Sequence, residues 1–308
     1  MKIVFMGTPT FAVPSLEALI KSEHSVIAVV SQPDKPKGRG RKIIDTPTKS
    51  VAINYDIPIL QPNRIKTEEF LKQLEDLAPD LICVVAYGKI LPKEILTLPR
   101  YGCINVHASI LPKYRGAAPI NWAIINGEEV TGITTMLMDE GMDTGGILLR
   151  KKITIESNDN SETLSKKLSL IGSDLILDTL DKYINKEIKP IKQNDNEATY
   201  APMLKKENGE INWKMGSNEI RNQIRGTLPW PGSFTFIKGK MLKIYDSEVC
   251  SGKGNPGEII TSDPKTLRVA TNDCSIDILE LQIEGGKKLR VEEFLRGRSL
   301  KAGTILGQ

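Results

Sequence analysis

The chain is poor in the residues that most often carry chemistry. It has two histidines among 308 residues, His24 and His107, so any imidazole role falls on one of them. Its four cysteines (Cys83, Cys103, Cys250 and Cys274) form no close pair, and the first two lie in apolar runs. This favours reduced core thiols over disulfides and argues against a cysteine-based metal site; none is expected. No stretch approaches the roughly 18 apolar residues of a membrane span. The opening apolar run is broken by Gly7, Pro9 and Pro14, with no convincing cleavage site after it, which reads as a cytoplasmic protein rather than an exported one. A glycine-rich pyrophosphate loop is also missing. The first strand runs into GTPTFA, which lacks the G-x-G-x-x-G spacing, and this weakens a dinucleotide-binding module or a dehydrogenase.

What is present is an ordinary soluble composition, 40% hydrophobic and 26% charged, in a chain long enough for two cores. The net charge is +4, and residues 205–308, with 17 basic and 13 acidic side chains, account for all of it. The remainder is balanced but contains one dense basic segment, DKPKGRGRK at 34–42, with five cations against one acid. A polyanion partner and a scattered solvated surface are both compatible with these charges.

Hydrophobic patterning divides the chain. KIVFMG, VIAVVSQ and LICVVAYG are unbroken apolar runs separated by helical patterns at 14–21 and near 67–77, which is the signature of a parallel sheet covered on both faces. CINVHAS at 103–109 is a shorter strand of that kind, two further strands flank the glycine-rich MDEGMDTGG, and residues 161–184 form a long amphipathic helix. Residues 189–205 are polar and structureless in pattern and read as a linker. Beyond them come short, partly alternating runs rich in β-branched residues, the outline of a small β-barrel like those that bind oligonucleotides. The expected fold is therefore α/β: a Rossmann-like, mostly parallel domain over 1–188, a linker over 189–205, and an OB-like domain over 206–308.

Asn105 and His107 are two apart on one predicted strand, so their side chains share a face where that strand opens towards a crevice. Downstream, Asp139 and Asp143 lie in the glycine-rich loop. Calcium is disfavoured there because Gly141 occupies the third ligand position, which leaves a carboxylate beside His107 as the stronger use.

The ordered run of KIVFMGTPTFAVPSL, SQPDKPKGRGRK, VVAYGKILP, INVHASILPKYRGAAPINWAI, MDEGMDTGGILL, INW at 211–213 and LPWPG at 228–232 closely resembles the folate-dependent formyltransferase family over essentially the whole chain. Within it the resemblance is to the branch that formylates the amino group of methionyl initiator tRNA from 10-formyltetrahydrofolate, acting without a metal. It implies that Asn105, His107 and Asp143 are the catalytic trio. It also implies that Ser109, Ile110, Leu111 and Pro112, with Ile90 and Asp139, line the folate site, and that Arg39, Arg41 and Lys42 meet the tRNA. A monomer is expected. Amino-sugar nucleotides, glycinamide ribonucleotide or water remain as acceptors that the same trio would serve. Whether Asp143 or a water takes the amine proton is also open.

Overall fold

The computed structural model describes residues 1–37, 42–298 and 300–307. The chain divides into two compact units, and neither is a single stretch of sequence. The first comprises residues 1–119, 130–154 and 165–201; the second comprises 120–129, 155–164 and 202–308.

The first unit begins with β1 (Lys2–Gly7), α1 (Val13–Lys21) and β2 (Ser25–Val30). Two short strands follow, β3 (Lys35–Lys37) and β4 (Lys42–Ile44), then α2 (Pro47–Asn54), β5 (Ile59–Leu60) and α3 (Glu68–Leu77). After these come β6 (Leu81–Val85), α4 (Lys93–Leu96) and β7 (Cys103–His107). The remaining elements are α5 (Pro119–Ile125), which falls almost wholly in the second unit, β8 (Val130–Leu137), β9 (Gly146–Thr154) and α6 (Ser161–Ile184). The sheet order is β5-β2-β1-β6-β7-β8-β9, parallel as far as β7 and antiparallel beyond it.

The apolar runs decide this order. Ile3, Val4, Phe5 and Met6 of β1 and Leu81, Ile82, Cys83 and Val85 of β6 are fully buried, as central strands with covered faces must be. Each such side chain contributes about 1.5–3 kcal/mol on leaving water. Burial also pushes the thiols of Cys83 and Cys103 up, so both are neutral packing groups. The helices are set by local signals. Thr67 caps α3 by accepting from the Phe70 amide at 3.3 Å, and Phe70 and Leu74, one turn apart, supply its buried side.

The second unit is built on an antiparallel sheet. After α7 (Ser217–Gly226) come β10 (Ser233–Ile237), β11 (Lys240–Cys250), β12 (Ile259–Ser262), β13 (Leu267–Ala270), β14 (Ser275–Ile283) and β15 (Leu289–Arg290), then α8 (Val291–Arg296). The order is β10-β11-β14-β13-β12, with β15 added against β14. The short, partly alternating runs read from the sequence beyond the linker are strands of this sheet. Irregular register around Asp246 interrupts β11, and Ile220 and Ile224 of α7 join Leu242, Ile244, Ile276, Ile278 and Leu281 in one core.

Candidate active site

β7 places the centre of the site. It pairs with β6 on one side and with β8 on the other, the line where the sheet changes from parallel to antiparallel. Asn105 and His107 therefore project to the same side of the strand, as their spacing predicts. Asn105 is half-buried, and its side-chain amide makes no hydrogen bond with the described residues.

His107, by contrast, is held on both sides and is only 6% exposed. Its Nε2 lies 2.9 Å from the Tyr114 carbonyl oxygen, which can only accept, so Nε2 carries a proton. Its Nδ1 faces Asp143 Oδ1 at 3.6 Å. That separation is longer than a hydrogen bond, so Nδ1 is the ring nitrogen with room for a further partner. The second Asp143 oxygen, Oδ2, accepts from the Gly116 amide at 2.8 Å. The two residues that hold the imidazole both have left-handed backbones, Tyr114 at φ 62° and Asp143 at φ 54°. Non-glycine residues adopt this geometry at a cost and need surroundings that fix it.

The loop after β7 is closed on itself. Ser109, fully buried, donates its hydroxyl to the Lys113 carbonyl. Thr134 of β8 donates to the Ser109 carbonyl at 2.7 Å and accepts from the Leu111 amide at 3.1 Å. Leu111 and Pro112 are buried, while Ile110 is partly open. Asp139 is exposed; its Oδ1 accepts from the Gly141 amide at 3.1 Å and from Thr144 Oγ1 at 2.6 Å, which closes the glycine-rich loop that carries Asp143. Ile90 stands 62% exposed. It borders a cavity of about 540 Å³ whose walls include Leu71, Pro92 and Glu140. None of Asn105, His107 and Asp143 lines that cavity.

Arg39 and Arg41 lie outside the described residues, and of Lys42 the structure describes the backbone, as the first residue of β4. The base of this basic segment is well anchored. Asp34 forms an ion pair with Lys49 and accepts from Gln61 Nε2 at 2.9 Å and from the Thr46 amide at 3.3 Å. The Lys49 and Gln61 hydrogen bonds hold Asp34 below the usual carboxylate range.

Two residues that sequence reasoning passed over reach the site. Gln193 is buried within the polar segment read as a linker. Its Nε2 donates to the carbonyls of Asp143 and Gly145, each at 2.8 Å, and its Oε1 accepts from Arg115 Nε and Nη2 at 3.1 and 2.8 Å. Thr199 accepts from the Tyr114 amide through Oγ1 at 2.9 Å. The one signal available in the sequence was Arg115 itself, a charged residue that needs a partner if it is buried.

Residues 1–180 match the family model described as formyl transferase, and residues 203–299 match formyl transferase, C-terminal domain. The chain belongs to the formyl transferase family. Among curated members, the methionyl-tRNA formyltransferase of Caldanaerobacter subterraneus subsp. tengcongensis is 53% identical over 309 residues, covering 99% of this chain and 100% of that protein. That of Thermodesulfovibrio yellowstonii is 51% identical over 301 residues, covering 98% and 97%. Solved structures agree on the fold. An N-formyltransferase from Helicobacter canadensis, in complex with folinic acid and dTDP-3-aminofucose, has a TM-score of 0.68 at 22% identity, covering 94% of this chain and 100% of that one. A methionyl-tRNA formyltransferase from Clostridium thermocellum has a TM-score of 0.57 at 20% identity, covering 82% and 95%.

Proposed function

We propose that the protein transfers the formyl group of 10-formyltetrahydrofolate to the amino group of methionyl initiator tRNA. The observation that carries the chemistry is the pair on β7: a half-buried Asn105 amide with no hydrogen-bond partner among the described residues, beside an imidazole fixed between the Tyr114 carbonyl and the Asp143 carboxylate. The acceptor follows from curated relatives at about half identity over the whole chain, named as methionyl-tRNA formyltransferases.

The neutral amine attacks the formyl carbon, forming a C–N bond and a tetrahedral intermediate whose former carbonyl oxygen is negative. Asn105 donates to that oxygen; a donor aimed in advance at developing charge contributes about 3 kcal/mol in comparable sites. Collapse breaks the bond to N10, which takes a proton and leaves as tetrahydrofolate. The amine's proton departs towards Asp143, directly or through a water, and His107, its Nε2 already engaged, uses Nδ1 in this exchange. The Ser109–Pro112 loop, held by Thr134, forms one wall of the folate site, with Ile90 and the exposed Asp139 on its pterin side. Residues 1–188 carry the transfer, and residues 206–308 with the basic 34–42 segment, including Arg39, Arg41 and Lys42, grip the RNA.

The test is an assay of the full chain with 10-formyltetrahydrofolate, offering methionyl-tRNA and, separately, an amino-sugar nucleotide. Formyl-methionyl-tRNA is the expected product, and Asn105→Ala lowers its rate of formation by about 10²–10³-fold. Formylation of the sugar nucleotide alone would overturn the acceptor. Normal turnover by the Asn105 variant would overturn the mechanism.

A further inference from the structure

The polar segment 191–201 behaves as structure at the catalytic loops. Ile191 exchanges two backbone hydrogen bonds with Ile147 of β9, each at 2.8 Å. Pro190 lies so close to Gly146 that a Cβ there would come within 2.6 Å of it. At the other end, the Arg115 amide donates to the Thr199 carbonyl at 2.9 Å, the Ala201 amide donates to the Arg115 carbonyl at 2.7 Å, and the Ala118 amide donates to the Ala201 carbonyl at 3.1 Å. The segment is thus tied down on either side of the site, and between these ties stand Gln193 and Thr199.

These two residues hold what holds His107. Among the described residues the imidazole nitrogens face the Tyr114 carbonyl and the Asp143 carboxylate, and both belong to residues with left-handed backbones. Thr199 Oγ1 accepts from the amide of Tyr114, and Gln193 Nε2 donates to the carbonyl of Asp143. Each strained residue therefore has a main-chain group fastened to the same segment. Gln193 is itself locked, because its oxygen receives both Nε and Nη2 of the buried Arg115, whose Nη2 also reaches Asp195 Oδ1 at 2.8 Å. A side-chain amide with both ends engaged cannot turn over, so its two donors stay aimed at Asp143 and Gly145.

We propose that residues 191–201 are a positioning strap for the transfer reaction, in which Gln193 and Thr199 act through Asp143 and Tyr114 to fix the His107 ring without touching substrate. The inference rests on the proposed transfer chemistry for its kinetic part, but not for its geometric part. A group held about 1 Å out of place is enough to lower turnover by roughly 100-fold.

Gln193→Glu is the discriminating variant. It preserves volume and gives Arg115 a charged acceptor, so the segment stays docked, while both donated hydrogen bonds to the loop are lost. Thr199→Val removes the other tie by exchanging one hydroxyl for a methyl. Two measurements are made on each full-length variant. The first is steady-state kinetics: kcat falls by roughly 100-fold for Gln193→Glu while KM for folate and for tRNA stays within about twofold. The second is nitrogen-15 NMR of the histidine rings, where two histidines give two assignable sets. The His107 ring signals shift or broaden in both variants and those of His24 do not. Parental kcat with unmoved His107 signals overturns the strap, as does a loss of rate matched by an equal loss of thermal stability with the ring signals unmoved. If the parent protein transfers no formyl group, the transfer reading fails, and the ring spectra alone decide whether the strap holds His107.

Discussion

Gly116 sits at φ 120°, donates its amide to Asp143, and passes so close to the Ala201 carbonyl that a Cβ would lie 2.7 Å from that oxygen. No other residue type meets both demands. Gly116→Ala is expected to cost about 2 kcal/mol through backbone strain alone, read as a lower urea midpoint with unchanged slope, and to depress turnover because Asp143 loses its amide tie. The placement of side chains was legible at this scale where it was local. Asn105 and His107 lie on one face because alternation along a strand requires it. Gln193 was not legible, since its three partners are the side chain of Arg115 and the carbonyls of Asp143 and Gly145, some fifty residues away or more, and nothing in QNDNEAT marks one amide as buried. The length of the chain between partners hides such contacts, whereas a strand's period of two displays them.

Among elements, strands with unbroken apolar runs were read in their right places, because a central parallel strand has no polar face to confuse it, although two of the runs, VIAVVSQ and LICVVAYG, continue past the ends of β2 and β6. α7 was missed. Its apolar residues are few, Ile220 and Ile224, and the start signal is modest: Glu219 reaches back to accept from the Gly216 amide at 2.8 Å. The β3–β4 pair shows an element fixed from outside itself, through Asp34 at its base. Because its neighbours hold Asp34 below the ordinary carboxylate value, its contribution is complete above about pH 4 and is lost as pH falls through the lowered value. Asp34→Asn should therefore remove a part of the acid-side loss of stability, seen as a shallower fall in melting temperature below about pH 4, with the slope at neutral pH unchanged. An unaltered acid limb would show that Asp34 is not held by Lys49 and Gln61 in solution.

For the whole molecule, the interleaving of the two units matters more than the position of a boundary. Residues 120–129, with nearly all of α5, and residues 155–164 precede the last segment of the first unit in sequence yet belong to the second unit: Asn121 donates to the Gly226 carbonyl at 2.8 Å, Arg225 donates to the Asp159 carbonyl at 3.0 Å, and Ser161 donates to the Leu228 carbonyl. A chain cut after Ala201 keeps these excursions and loses their partners Gly226, Arg225 and Leu228, and with Gly226 the surface against which Ile125 packs. Such a fragment is expected to aggregate or to bind a hydrophobic dye, measured beside the full chain by light scattering and dye fluorescence; a monodisperse, dye-silent fragment would contradict this. The same threading sets an order of events during synthesis. At about 5–20 residues per second, α5 leaves the ribosome on the order of ten seconds before Gly226 does. For that interval the nascent chain presents an apolar helix with no mate, so slowing translation across residues 130–226 lengthens the time in which a chaperone, or another nascent copy, can claim it.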